Sequence, residues 1–268
     1  MSFADRYGPW AVIAGASEGT GRAFALQIAS LGVGCILLAR RQAPLAALAD
    51  EIRAESGVDC VTACVDLAAP DAFAQIKAAV GAREVGLFVS NAGADPHGSR
   101  FLDRDVGDWL ALAQRNTLIT LQCCHHFAAP MTARGRGGLL LVNSGACYGG
   151  SSFMATYAAS KAFTLCFGEG LWAELQPQGV DVLNLILGRT DTPAFRQLLA
   201  DKGQPLPDNI ASVDEVARVG LERLAHGPVH NWGVTDDSAG FAPSSAAARR
   251  ERTLMIDRYS KQIFGEPS

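Results

Sequence analysis

Charge is scarce in this chain. Only 19% of its 268 residues are Asp, Glu, Lys or Arg, and 23 basic side chains face 27 acidic ones, for a formal charge of −4. Long runs of Lys or Arg are missing, and with them the electrostatic footprint that a phosphodiester backbone requires, so nucleic acid is not an expected partner. No uninterrupted apolar run reaches about 18 residues, the length a membrane-spanning helix needs, so no membrane partner is expected either. The opening residues, MSFADRYGPW, lack the basic stretch, apolar core and small-residue cleavage site of a secretory leader, and a cytoplasmic protein is the expectation. CxxC pairs are absent too. The seven cysteines (Cys35, Cys60, Cys64, Cys123, Cys124, Cys147, Cys166) are scattered through apolar segments and read as reduced core thiols rather than a zinc or dithiol site. Histidine offers no metal set: His125 and His126 are adjacent, so on a helix they point about 100° apart, while His97, His226 and His230 fall in loops or element ends. No metal is expected. Internal repeats and low-complexity linkers are also missing, which argues for one domain over residues 1–268.

What the chain does have is apolar material, 49% of its residues, enough for a large core. Short β-branched or Leu-rich runs alternate with Ala-rich stretches of helical length, the pattern of repeated βαβ units around a parallel sheet. Strands are expected at Trp10–Gly15, Gly34–Arg40, Cys60–Val65, Gly86–Asn91, Gly138–Ser144, Val180–Leu187 and Val229–Val234. Helices are expected at Thr20–Leu31, Ala43–Ser56, Asp71–Val80, Val106–Arg134, Ala155–Gln176, Val213–His226 and Ser245–Phe264. The fold class is therefore α/β, a doubly wound, Rossmann-type domain with a parallel sheet of about seven strands and helices on both faces. Residues 188–212 break the rhythm with a polar, Pro-containing stretch that reads as a lid over substrate. Residues 244–268 form a tail with Ile256, Tyr259 and Ile263 on one helical face, for packing within the chain or against another subunit.

The first strand runs into Gly15-Ala16-Ser17-Glu18-Gly19-Thr20-Gly21, which opens a helix. Glycines there let the backbone turn sharply and let a diphosphate reach the free N–H groups of the helix N-terminus. About 20 residues further on, an acidic residue would take a free ribose 2′-hydroxyl. Here Arg40 and Arg41 stand instead, with nothing acidic following before Asp50. Two guanidinium groups suit a 2′-phosphate, which favours NADP(H) over NAD(H). A competing reading leaves both arginines as solvated strand ends. Asp66-Leu67 and Asn91-Ala92-Gly93 end later strands, where ligands sit in open α/β sheets, though Asp and Asn-x-Gly also serve as caps and turns.

Tyr157 and Lys161 lie four apart on an expected helix and can share a face. A free phenol titrates near 10, and one cation about 4 Å away favours phenolate by roughly 4 kcal/mol at an effective dielectric of 20, so Lys161 is expected to lower the Tyr157 pKa. Ser144, at the end of a buried strand, offers a hydroxyl to a substrate oxygen on which charge develops. Asn116, a poor helix former inside a long helix, could hold a water that links Lys161 to solvent.

With these motifs together, the stretch from Trp10 through Pro193 resembles the short-chain dehydrogenase/reductase family. The resemblance implies that GASEGTG is the cofactor loop, that Asp66 contacts adenine, and that Asn91-Ala92-Gly93 supports sheet and cofactor. It implies a catalytic tetrad of Asn116, Ser144, Tyr157 and Lys161, with Lys161 also holding the nicotinamide ribose, and a homodimer or homotetramer. Leu187-Gly188-Arg189-Thr190-Asp191-Thr192 looks like the family's PGxVxT segment, in which Thr192 would bind the carboxamide and Thr190 would offer its backbone; Leu187 and Thr190 depart from Pro and Val. Tyr7-Gly8-Pro9-Trp10, Cys124-His125-His126-Phe127 and Leu187-Gly188 are similar to bacterial 7β-hydroxysteroid dehydrogenases.

The expected substrate is a small hydrophobic ketone or alcohol, bulky and possibly steroid-like, because Phe101, Phe153, Met154, Phe195, Leu198 and Leu199 flank the expected cleft. Cys147 could line that cleft or pack as a core thiol. Two other functions compete. Gly15-Ala16-Ser17-Glu18-Gly19 satisfies the GxSxG elbow of serine hydrolases, with Ser17 as nucleophile, although only a short segment precedes it. A dinucleotide-binding regulator without turnover would keep the fold, against the presence of Ser144, Tyr157 and Lys161.

Overall fold

Alternation along the first strand sets the layers. In β1 (Trp10–Ala14) the side chains of Ala11 and Ile13 join one buried apolar cluster and those of Val12 and Ala14 join another, as period-two geometry requires of a strand covered on both faces. The same double burial marks β2 (Gly34–Ala39), β4 (Val85–Ser90) and β6 (Val180–Leu187), every residue of which is buried. In the computed structural model these strands, with β3 (Cys60–Cys64), β5 (Gly137–Ser144) and β7 (Val229–Trp232), form one sheet in the order β3-β2-β1-β4-β5-β6-β7. Every pairing is parallel. The structure describes residues 1–93, 95, 98–150, 152–201, 203–208, 210–232, 247–251 and 254.

Helices cover both faces. On one side α2 (Gly19–Ser30), α3 (Gln42–Ser56) and α9 (Val213–Arg223) bring Phe24, Ile28, Leu45 and Val216 to the first cluster. On the other, α4 (Ala72–Val80), α6 (Ile119–Arg134) and α7 (Ala155–Leu175) bring Ile76, Phe127 and Trp172 to the second. The sheet is the doubly wound Rossmann type, and its strand order reverses between β1 and β4. Loops leaving those two strands diverge there and open a crevice at the strand carboxyl ends.

Three local features depart from expectation. A short helix, α1 (Phe3–Tyr7), precedes β1, opened by a Ser2 and Asp5 capping box. Arg6 and Tyr7 hold it down through the buried carboxylate of Asp181 on β6, Arg6 as a fork at 2.6 and 2.7 Å. The expected helix Val106–Arg134 is not continuous: α5 (Val106–Ala113) passes through a π turn, Gln114–Leu118, before α6 begins. The segment 188–212 carries a helix of its own, α8 (Pro193–Asp201), no residue of which is buried. Its base is pinned where Asp191 N–H donates to Ala211 O and Ala211 N–H donates to Arg189 O. Of the expected strand Val229–Val234 the described part is β7, and most of the tail helix Ser245–Phe264 lies outside the described residues.

Cys35, Cys60, Cys123, Cys124 and Cys147 are buried as expected, and burial pushes Cys147 up to about 12. Cys64 and Cys166 are exposed, a correction to their reading as core thiols: Cys64 ends an outer strand and Cys166 sits on the outer side of α7. Among the described residues no helix is long and apolar enough to cross a membrane. No group of three His, Cys, Asp or Glu among them could hold a metal ion.

Candidate active site

The β1–α2 turn needs its glycines. Gly15 and Gly19 have φ of +75° and +57°, and a Cβ on Gly21 would lie 2.0 Å from Gly15 O. Asn91, at the end of β4, ties this turn to its neighbour: its amide donates to Gly15 O at 3.2 Å and its carbonyl accepts from Thr20 Oγ1 at 2.7 Å. The result is a cavity of about 290 Å³ at the point of strand reversal. Its walls include Gly15, Ser17, Glu18, Gly19 and Thr20 from the turn, Arg40, Arg41, Asp66 and Leu67 from the ends of β2 and β3, Asn91-Ala92-Gly93, and Thr192. Gly21, Gly188 and Thr190 are not among them. Gly21 lies beneath the turn, Gly188 N–H is spent on Trp232 O, and the buried Thr190 hydroxyl turns back toward Gly188 O. Thr192 keeps its place, although its hydroxyl also accepts from Phe195 N–H at the start of α8.

Electrostatics around Arg40 and Arg41 differ from the sequence reading. Acidity does reach the arginines, because Glu18 folds across and takes Arg41 at 2.5 Å, both side chains being partly exposed. The chain separation of the two residues hid this pair. A further arginine, Arg115 on the π turn, also lines the cavity and was missed by motif reading. Among the described residues no histidine lines the cavity around Ser17, so none of them supplies the general base that a hydrolase elbow requires.

The second group of residues gathers beyond Gly93. Asn143 on β5 organises it: its amide donates to Lys161 O at 3.1 Å, and its carbonyl accepts from Ser144 N–H at 2.8 Å, so α7 and the strand end are fixed together. Asn116 is buried, donates to Ser160 Oγ at 3.1 Å, and its Oδ1 has no hydrogen-bond partner among the described residues. Ser160 Oγ donates onward to Tyr157 O. A Cβ on Gly93 would stand 3.1 Å from Lys161 Nζ and 3.5 Å from Asn116 Oδ1, so a side chain there would press on both groups. A strand-reversal cradle, an unpartnered buried amide oxygen and a buried ammonium beside it fit a dinucleotide lying across the sheet edge.

Lys161 does not act on Tyr157 as expected. Its ammonium donates to Val142 O at 3.1 Å and stands 5.7 Å from the centre of the phenol ring. Burial raises the Tyr157 pKa, against the pull of a hydrogen bond from Ser144, and the phenol is held protonated. Lys161 is itself pushed down by burial from 10.5 to about 8. Below pH 8 the lysine is protonated in both the folded and the unfolded chain, and its burial then opposes folding in full. The penalty fades between pH 8 and about 10.5, where the unfolded chain binds more protons. Lys161→Met should therefore stabilise the cofactor-free fold at pH 7 by roughly 1–3 kcal/mol, after allowing for the lost hydrogen bond. Denaturant midpoints should show the gain shrinking toward pH 10.

A family model described as short chain dehydrogenase matches residues 9–203. The chain belongs to that family. A 7β-hydroxysteroid dehydrogenase of Collinsella aerofaciens is 32% identical over 195 residues, 73% of this chain and 74% of that one. Another of that description, from Mediterraneibacter gnavus, is 28% identical over 84% of this chain and 86% of its own. The chain spans 55% of a very-long-chain 3-oxoacyl-CoA reductase of Laccaria bicolor, at 34% identity. Among solved structures, one from a study of 7β-hydroxysteroid dehydrogenase stereoselectivity superposes with a TM-score of 0.80 at 26% identity, covering 95% of this chain and all of that one. A short-chain dehydrogenase from Sphingobium yanoikuyae in complex with NADPH superposes with a TM-score of 0.76 at 27% identity, over 96% of each chain. The short-chain dehydrogenase described here is thus an oxidoreductase of a family that acts on alcohol and ketone groups and binds a nicotinamide dinucleotide.

Proposed function

We propose that this short-chain dehydrogenase uses NADP(H) to interconvert a bulky hydrophobic ketone and its secondary alcohol, with Tyr157, Ser144, Lys161 and Asn116 as its catalytic residues. The observation that carries this reading is the placement of Lys161 Nζ and Asn116 Oδ1 beside Gly93, which lines a cavity that Arg40 and Arg41 also line, with Tyr157 one turn before Lys161 on α7 and hydrogen-bonded to Ser144. A nicotinamide dinucleotide held in that cavity would supply the hydride chemistry, as donor to the carbonyl carbon or acceptor from the alcohol carbon. Tyr157, kept protonated by burial, donates its phenolic proton to the ketone oxygen, and Ser144 hydrogen-bonds that oxygen as negative charge grows on it. Lys161 holds the ribose of the nicotinamide half. Asn116 holds, through its unpartnered Oδ1, a water that returns a proton from solvent. Arg40 and Arg41 take the 2′-phosphate, Asp66 and Leu67 the adenine, and Thr192 the carboxamide. The chain works as one domain in the cytoplasm, as a homodimer or homotetramer, with 188–212 as its substrate lid.

Exposed apolar side chains support the substrate class. Phe101, Phe153, Met154 and Leu198 are all exposed, and the Arg100 guanidinium lies 5.1 Å over the Phe153 ring. Phe153 has φ of +70°, a conformation that costs an aromatic residue of order 1–3 kcal/mol. It lies on the loop leading into α7, close in sequence to Tyr157. The 7β-hydroxysteroid dehydrogenases among the relatives and the NADPH complex of the Sphingobium enzyme point the same way. A panel of steroid-like, terpenoid and aryl ketones tests this, with NADPH oxidation followed at 340 nm, the usual absorbance of reduced nicotinamide. Turnover on bulky hydrophobic ketones is the expected result, and activity confined to small polar carbonyls would overturn the substrate class.

A further inference from the structure

We propose that Glu169 on α7 and Arg249 in the C-terminal segment form a latch that seats this segment on the catalytic helix and holds the turn behind Ser144 in place, which makes both of them positioning residues. Arg249 grips Glu169 as a fork, Nε to one carboxylate oxygen at 2.5 Å and Nη2 to the other at 2.6 Å. The two side chains are only 14% and 12% exposed, so this is a desolvated pair and not a solvated surface contact. Taking two charges out of water costs more than an apolar contact of the same size would. What the fork adds is a fixed distance and a fixed orientation between tail and helix. The neighbouring residues follow the same helix: the Arg250 guanidinium lies 5.3 Å over the Trp172 ring, and Leu254 packs against the apolar cluster that contains Trp172 and Leu175.

The latch reaches the catalytic group through one short turn. Ser144 caps the 3₁₀ turn Gly145–Tyr148. Cys147 on that turn is buried with Leu165 of α7, Ile186 of β6 and Val229 of β7, and Leu165 lies four residues from Lys161 and four from Glu169 along the helix. Tyr148 ties the far end of the turn to β7 by donating to Asn231 Oδ1 at 2.6 Å. The Cys147 thiol registers the surrounding charges: burial raises its pKa most, Arg249 and Lys161 pull it down, and Glu169 pushes it up. Without the fork a buried carboxylate is stranded at Glu169, water must reach it, and the Cys147 turn loosens with it. The consequence for turnover rests on the catalytic reading above, because a misplacement of Ser144 by about 1 Å can cost roughly 10²-fold in rate.

The test uses the full-length protein and two readouts. The first is alkylation of Cys147 by iodoacetamide, mapped by mass spectrometry with the buried Cys123 and Cys124 as internal references. Arg249→Met should speed labelling of Cys147 by about tenfold or more while Cys123 and Cys124 stay protected. Loss of the positive charge alone would slow it, because Arg249 lowers the thiol pKa, so acceleration reports opening of the turn. The second readout is turnover of the best bulky ketone of the panel. For Arg249→Met kcat should fall by roughly 10–10²-fold, with the dissociation constant for NADPH within about twofold. Arg249→Lys keeps the charge but loses the fork and should fall between parent and methionine variant. Combining Arg249→Met with Glu169→Gln removes the stranded charge, so the thermal midpoint should return toward the parent's while kcat stays low and Cys147 stays reactive. Recovery of kcat together with the thermal midpoint in that double variant would make the pair a structural contact only and overturn the proposal. Cys147 remaining protected in Arg249→Met would overturn it equally. A parent protein that turns over no ketone would instead remove the catalytic reading, and Cys147 labelling would still decide the latch.

Discussion

Tyr157→Phe should lower turnover of a ketone substrate by roughly 10²–10⁴-fold while leaving the dissociation constant for NADPH within about twofold. The phenylalanine keeps the ring against α7 and removes only the proton that must reach the carbonyl oxygen. At neutral pH the Tyr157 phenol is in the donating form, as an ordinary phenol already is, and burial shifts it further in that direction. Ser144 cannot replace it, since an aliphatic hydroxyl is far less acidic than a phenol. A companion titration of NADPH fluorescence separates binding from chemistry. If Tyr157→Phe kept most of its turnover, the proton would have to come from another group, and the assignment of Tyr157 would be lost.

Removing both strand-end arginines should have the other large effect. Arg40→Ala with Arg41→Ala should weaken NADPH by about 10²-fold, two charge-assisted contacts at about tenfold each, and weaken NADH by no more than a few-fold. Glu18 sharpens the expectation. With Arg41 gone its carboxylate loses the partner at 2.5 Å and faces the ribose directly, where it repels a phosphate and can accept from a hydroxyl. The double variant should thus approach indifference between the two cofactors, as read from the ratio of their kcat/KM values. Equal loss for NADPH and NADH would mean that the arginines serve the fold or the diphosphate and do not discriminate.

The sheet was legible because its signals are local. Each strand is a short, mainly apolar run, and β2, β4 and β6, buried on both faces, are apolar but for Ser90, Asp181 and Asn184. Tyr157 and Lys161 were legible for the same reason, since helical spacing alone puts them on one face of α7. What escaped depends on contacts far apart in the chain or on single hydrogen bonds. Gln114–Leu118 contains no Gly or Pro to mark a break, and an α turn becomes a π turn by moving each bond one residue further. Arg115 therefore looked like one more surface residue of a long helix. The Glu18 and Arg41 pair is invisible to composition because it exists only once the β1–α2 turn and the end of β2 are side by side. The expected effect of Lys161 on Tyr157 failed on distance, the ammonium being drawn to Val142 O instead of the phenol.

The central claim is hydride transfer between NADPH and a hydrophobic carbonyl carbon beside Tyr157 and Ser144. Incubating the protein with NADPH carrying deuterium at C4 of the nicotinamide, together with the best bulky ketone of the panel, tests it most directly by mass and NMR analysis of the product. The account predicts an alcohol with one deuterium bound to the carbinol carbon and none exchanged with solvent. An unlabelled alcohol, or no alcohol from any ketone while NADPH still binds, would contradict it.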